Sequence, residues 1–191
     1  NIAPSIGVDG EITYVENDTA TLVDSSITVS DPDDANMESA TVVISSGYAG
    51  AQDVLTFTNT ANITGNLVGN TLTATGTATR AEYETFLESV RYQNSSNDPT
   101  ADDRILTYTV NDGFVDSPSD TATIHVEARN DEPTLTATAA NPGFTENGAA
   151  VDLFSGPFAS TVEACQTLNQ IIVTVTFLDG TAATESLLID G

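Results

Sequence analysis

Ser39-Ala40-Thr41-Val42-Val43-Ile44-Ser45-Ser46 alternates in character, with Ala40, Val42 and Ile44 on one side of an extended chain. Successive side chains of a strand point to opposite faces, so this stretch reads as a strand with one face on a core. Similar runs flank it. Residues 25–30 place Ile27 and Val29 on one face, and residues 54–59 (VLTFTN) and 71–75 follow. Residues 89–93 (SVRYQ), 104–111 (RILTYTVN) and 120–126 (DTATIHV) complete the set. Asp31-Pro32-Asp33, Ser46-Gly47, Gly65-Asn66, Gly69-Asn70 and Asp112-Gly113 read as the turns between them. About seven short strands at such spacing predict an all-β chain built on a Greek-key β-sandwich.

One segment breaks the pattern. Tyr83, Phe86, Leu87 and Val90 recur at helical spacing, and Thr79 with Glu82 forms a capping-box signature. The spacing predicts one short helix on an end of the sandwich, with Tyr83 and Leu87 turned inward.

Composition narrows the function. The chain has 28 acidic residues against four arginines and no lysine, a net charge of −24. Such a surface repels nucleic acid and anionic membranes. It also strains the folded state by self-repulsion, which bound divalent cations relieve. A solvated acidic surface that serves solubility or high salt explains many of the acids equally well. Cys165 is the single cysteine, so no internal disulfide forms. It is expected to pack as a small apolar residue, or, if exposed, to crosslink chains. Calcium is a common alternative staple outside the cell. No apolar run approaches membrane-spanning length, so no direct membrane insertion is expected.

Asn130-Asp131-Glu132-Pro133 echoes Asn1-Ile2-Ala3-Pro4 at a spacing of 129 residues. Tyr14-Val15-Glu16-Asn17 recurs as Phe144-Thr145-Glu146-Asn147 at a spacing of 130. The period predicts one module over residues 1–129 and the front half of a second, diverged β module over 130–191. Strands at 171–176 (IIVTVT) and 186–189 are expected in the second. A half-sandwich has open sheet edges, so either another chain completes it or it closes on itself. The chain begins without Met inside a junction string, and reads as a piece of something longer.

In a Greek-key sandwich successive loops alternate between two poles. Asp31, Asp33, Asp34 and Asp112 then gather near Asn1. Glu16, Asp98, Asp102 and Asp103 gather at the other pole, with Asn130 and Asp131. Each group offers the six to eight oxygens that Ca²⁺ takes. Turn chemistry competes, because Asp and Asn also favour loops by bonding their own backbone.

Three stretches carry a resemblance: Val29-Ser30-Asp31-Pro32-Asp33, Tyr108-Thr109-Val110-Asn111-Asp112-Gly113, and Ile124-His125-Val126-Glu127-Ala128-Arg129-Asn130-Asp131-Glu132-Pro133. In this order they resemble the motifs of cadherin repeats, and more closely the bacterial cadherin-like repeats of large RTX-type surface adhesins. The likeness covers nearly all of residues 1–135 and more weakly 136–191. It implies a cadherin/immunoglobulin-like sandwich. It also implies junction ligands Glu16, Asn130 and Asp131 at one pole, and Asp31, Asp33 and Asp112 at the other, facing a preceding repeat. Two departures stand out. Ile2 occupies the place of the junction aspartate, and Ser160-Thr161-Val162-Glu163-Ala164-Cys165 replaces the second Asp-x-Asp, with Glu163 as a partial substitute.

The metal ligands expected are therefore Glu16, Asp31, Asp33, Asp98, Asp112, Asn130 and Asp131, with Ca²⁺ as the ion. The lone His125 lies in a strand without a Ser/His/Asp arrangement, so no enzyme is expected. One His and one Cys make no closed zinc site. The sequence predicts a calcium-binding structural repeat of a large extracellular or cell-surface bacterial protein, with calcium stiffening its junctions. Neighbouring repeats are its expected partners, with identical chains or cell-surface and matrix ligands as further ones. The other reading is a subunit of an extracellular filament or surface layer joined by strand exchange. A carbohydrate-binding module is a third, and asks for an exposed aromatic pair.

Overall fold

The structure, a computed structural model, describes residues 1–143, 145 and 147–174. The chain divides into two units, Asn1–Arg129 and Asn130–Gly191. In unit 1 the elements are β1 (Ser5–Gly7), β2 (Glu11–Val15), β3 (Thr21–Leu22), β4 (Thr28–Ser30), β5 (Asn36–Ser46), β6 (Asp53–Thr56) and β7 (Thr64–Val68). They continue with β8 (Thr71–Thr79), α1 (Arg80–Glu88), β9 (Arg91–Asn94), β10 (Arg104–Asn111) and β11 (Asp120–Glu127). One sheet has six strands in the order β2-β11-β10-β5-β8-β7, another has three, β3-β9-β6, and β1 pairs with β4. The fold is an all-β sandwich with one short helix.

Strand β5 sits inside the large sheet because its alternation is complete. Ala40, Val42 and Ile44 are buried, while Thr41 and Val43 lie on the other face. Its neighbours repeat the pattern: Leu72 and Ala74 on β8, and Leu106, Tyr108 and Val110 on β10. Antiparallel register places Val42 opposite both Leu72 and Tyr108. Leu55 on β6 and Tyr92 on β9 are buried in the same core from the smaller sheet. Tyr14 on β2 meets Tyr92 edge-to-face at 5.2 Å between ring centroids. The parallel pairing of β2 with β11 sets Glu11 beside Thr123 and Val15 beside Glu127.

Helix α1 forms where the capping signature predicts it. The Thr79 hydroxyl accepts the Glu82 N–H, the Glu82 carboxylate accepts the Thr79 N–H, and Tyr83, Phe86 and Leu87 are buried. Four expectations change in detail. Gly65-Asn66 lies within β7 rather than at a turn, since both residues pair with β8. The strand at 25–30 is shortened to β4, because the Asp24 carboxylate takes the Ser26 N–H and bends the chain there. The strand at 54–59 ends at Thr56. Residues 89–90 close the helix, with Ser89 as its C-cap, before β9 begins.

Unit 2 contains β12 (Thr134–Ala139) and β13 (Phe154–Ser160), paired antiparallel with a register shift between Thr136 and Thr138. Gly156 at φ 56° and the adjoining Pro157 explain the shift: one adopts a left-handed conformation, the other has no N–H for the ladder. Of the strand expected at 171–176, residues 171–174 are not paired, and 175–176 lie outside the described residues. The strand expected at 186–189 and the echo residues Phe144 and Glu146 also lie outside them. Cys165 is exposed rather than packed, on a turn where its own φ is 65°.

Candidate metal centre

Two loops of unit 1 are built alike. After β4, Asp31 folds its side chain back on its own loop, and Oδ1 accepts the N–H groups of Asp33 and Asp34, both at 2.9 Å. After β10, Asp112 does the same, with Oδ1 accepting from Phe114 at 2.7 Å and Val115 at 2.8 Å. Short acidic side chains favour such turns. Gly113 completes the second turn at φ 98°, a region an L side chain rarely adopts. In both residues the second oxygen is left over. Asp31 Oδ2 and Asp112 Oδ2 are buried and have no hydrogen-bond partner. Each residue is only 6% exposed.

The two carboxylates feel each other. The neighbouring Asp112 charge pushes the Asp31 pKa upward, but the Asp34 N–H bond, the largest influence, holds it below the ordinary range. At Asp112 burial is the largest influence and pushes upward, and the N–H bonds from Val115 and Phe114, helped by the nearby Asn1 amide, outweigh it, again giving a lowered value. Both groups are therefore held ionised side by side. A buried ionised oxygen with no donor is costly unless an ion or water completes it.

Further oxygens converge on the same end. Asp31, Asp33 and Asp34 place one carboxylate oxygen each within 4.8 Å of one another. Calcium–oxygen distances are about 2.4 Å, so two oxygens on one ion lie at most about 4.8 Å apart. The Asn1 amide donates to Asp34 Oδ2 at 3.0 Å, and the Ile2 N–H reaches both oxygens of Asp33 at 3.1 Å. Helix α1 fixes the first loop from behind. Arg80 Nη1 donates to the Asp31 carbonyl at 2.8 Å, and Glu84 Oε1 accepts the Val29 N–H at 2.8 Å. The structure thus brings Asp31, Asp33, Asp34 and Asp112 together around Asn1. A donor set of hard, anionic oxygens with two unpaired buried members fits a divalent cation such as Ca²⁺.

The other expected group is arranged differently. Glu16, 1% exposed, takes the Arg129 N–H on Oε2 at 2.8 Å and closes the end of β2 against the chain leaving β11. The Asp98, Asp102 and Asp103 side chains are exposed. Asp103 is taken by His125, whose Nδ1 lies 2.8 Å from its Oδ1 while Nε2 lies 3.0 Å from Glu11 Oε1. Among the described residues the Asp31-Asp33-Asp34 group is the one that brings three such ligands within metal-binding range. In unit 2 the Asn130 side chain donates to the Asp131 carbonyl and accepts from Gln166, and the Asp131 N–H bonds Glu163.

Two features were not anticipated from sequence. The first is the Arg80–Glu84 support of the Asp31 loop. The second is a buried ion pair between Arg104 and Asp53, 3.2 Å apart and both fully inaccessible. Tyr92 and Asn94 donate to Asp53 as well, and Arg104 Nη1 reaches the carbonyls of Thr100 and Asp102. The pair therefore anchors the loop that carries Asp98, Asp102 and Asp103.

No family model matches this sequence, and no solved structure matches it. An alignment 100 residues long, covering 49% of this chain, is 37% identical to halomucin of Haloquadratum walsbyi (strain DSM 16790 / HBSQ001). The match spans 1% of the halomucin chain. The described residues contain no helix long and apolar enough to cross a membrane.

Proposed function

We propose that this chain is a calcium-binding structural repeat of a very large extracellular surface protein, and not an enzyme. The observation that carries the reading is the pair of buried, unpartnered carboxylate oxygens on Asp31 and Asp112. Ca²⁺ between them turns a repulsion into a bridge between two loops. Asp33, Asp34 and the Asn1 side-chain oxygen supply further ligands, and water the rest. The net charge of −24 supports the same reading, since each ion removes two units of self-repulsion. The similarity to 1% of a very long chain supports a repeat rather than a whole protein.

The finer identity, a cadherin-like repeat of an RTX-type adhesin, belongs to this proposal. So does the role of Glu16, Asn130, Asp131 and Asp98 as ligands where one repeat meets the next, with calcium fixing the angle between them. The job is then to extend and orient, and the partners are neighbouring repeats. A calcium titration by calorimetry, with melting temperature and scattering radius measured in calcium and in chelator, tests it. Binding with a rise in both melting temperature and particle length supports the proposal. A chelator that changes neither refutes it.

A second reading, a filament or surface-layer subunit joined by strand exchange, is favoured by β12, whose six residues are all exposed. Molar mass by light scattering separates the two. A concentration-dependent oligomer in calcium supports strand exchange.

A further inference from the structure

We propose that the outer face of the six-stranded sheet in unit 1 is a docking surface for a second copy of this chain, the two packing sheet against sheet. The inference goes beyond the calcium reading and does not depend on it.

Strands β7, β8, β5 and β10 lie side by side in that sheet. In a chain with 28 acidic residues, these four strands hold two charged ones, Glu38 and Arg104. Arg104 is turned into the core, where it meets Asp53. Glu38 sits at one end, at the β5 bulge, and accepts the Thr77 hydroxyl at 2.6 Å. The outward positions beyond it are neutral. Register sets Thr41 between Thr73 and Thr109, with Asn66 beyond Thr73. The next row sets Val43 between Thr71 and Thr107, with Val68 beyond Thr71 and 69% exposed. Charge returns on the far side of the sheet, where His125 on β11 meets Glu11 on β2. A solvated surface ordinarily carries about a quarter to a third charged residues, so a face without them is unusual on this chain.

Charge, chemistry and size name the occupant. Two copies of net charge −24 repel, and contact through a neutral face leaves their carboxylates outside it, where salt screens them. Each threonine hydroxyl both donates and accepts, and its methyl packs. A threonine face is therefore complementary to itself, as an isologous pair requires. Ser45 and Thr107 share a hydrogen bond at 2.7 Å, but the hydroxyls of Thr41, Thr73 and Thr109 have no protein partner among the described residues. No outward residue of these strands is aromatic, so the face lacks a stacking platform for a sugar ring. With the near end of β11, the face is about 24 Å square, roughly 600 Å². Two such faces remove about 1,200 Å², the lower end for a stable pair. The dimer is then weak and strengthens with salt.

Sedimentation equilibrium of the full chain, in chelator and about 1 M sodium chloride, tests this; there the screening length is about 3 Å. The wild type should dimerise with concentration, and the dimer should weaken at low salt. Thr73→Glu and Thr73→Arg change the net charge in opposite directions, yet each buries an unpaired charge and should weaken the dimer at least about tenfold. Ala81→Glu, on the exposed side of α1, should leave it unchanged. Circular dichroism checks folding, and Thr109→Glu repeats the test on the neighbouring strand. A wild type that stays monomeric, or a dimer indifferent to both Thr73 variants and to Thr109→Glu, overturns the inference. Loss of the dimer in Leu135→Asp alone would assign it to β12 and also overturn it. So would a monomer that binds neutral dextran through Thr73, which would make the face a polysaccharide site.

Discussion

At the scale of single residues, the unpaired oxygens set the behaviour. The folded-state pKa of Asp31 is depressed, so its carboxylate contributes stability at pH above its unfolded value near 3.8 and loses it as pH falls through the lower folded value. Apparent calcium affinity should fall over the same acidic range, which titrations carried from about pH 5 down to about pH 3 would reveal. His125 behaves oppositely. Both of its ring nitrogens face carboxylates, Glu11 first in influence and then Asp103, and these raise its pKa. A neutral imidazole has one donor, so only the protonated ring serves both partners. Its contribution is complete below the unfolded value of about 6.5 and is lost as pH rises through the folded one. The stability gap between the wild type and His125→Gln should therefore shrink as pH rises, and chemical denaturation across that range measures it. Arg104 was partly legible in sequence. The alternation of RILTYTVN puts Arg104 on the same side as Leu106, Tyr108 and Val110, which marks it as an inward charge in need of a partner. Its partner Asp53 was not legible, because 51 residues separate the two and only tertiary pairing joins them. Arg104→Leu leaves Asp53 buried and uncompensated, and should cost about 3–5 kcal/mol in urea unfolding.

At the scale of elements, local chemistry decides what is readable. The capping box of α1 and the apolar spacing of Tyr83, Phe86 and Leu87 are short-range signals, and the helix forms where they place it. Thr79→Ala removes the cap and should cost about 1 kcal/mol, read as a shift in denaturation midpoint. The strands with complete alternation, β5, β10 and β11, were likewise legible. Strand β7 was not, because Gly65 and Asn66 are turn formers in isolation. Gly65 is tolerated there since a Cβ would come within 2.3 Å of the Phe57 ring. Tertiary packing overrides propensity at that point. The Asp31 loop and the Asp112 loop were legible as turns and as candidate ligands for the same reason: an aspartate that caps its own turn with one oxygen keeps the other for an ion. Sequence could not separate those two uses. The burial of an unpartnered Oδ2 in both loops supports the proposed second use.

At the scale of the whole molecule, charge dominates. A net −24 with four arginines and no lysine makes the folded state repulsive. Monovalent salt should raise the melting temperature gradually, by screening. Calcium should raise it at far lower concentration and logarithmically above Kd, by about 2.7 kcal/mol at a hundredfold excess over Kd, or several degrees. Magnesium, smaller and reluctant to lose water, should substitute poorly. The most direct measurement of the central claim compares melting temperatures of the wild type and Asp112→Asn in chelator and in calcium. Without calcium the substitution loses the charge that the Phe114 and Val115 N–H groups favour while relieving a repulsion with Asp31, so the variant should melt only slightly below the wild type. With calcium it also lacks a ligand, and the gap should widen to several degrees. A gap no larger in calcium than in chelator would contradict a cation bridge between the two loops.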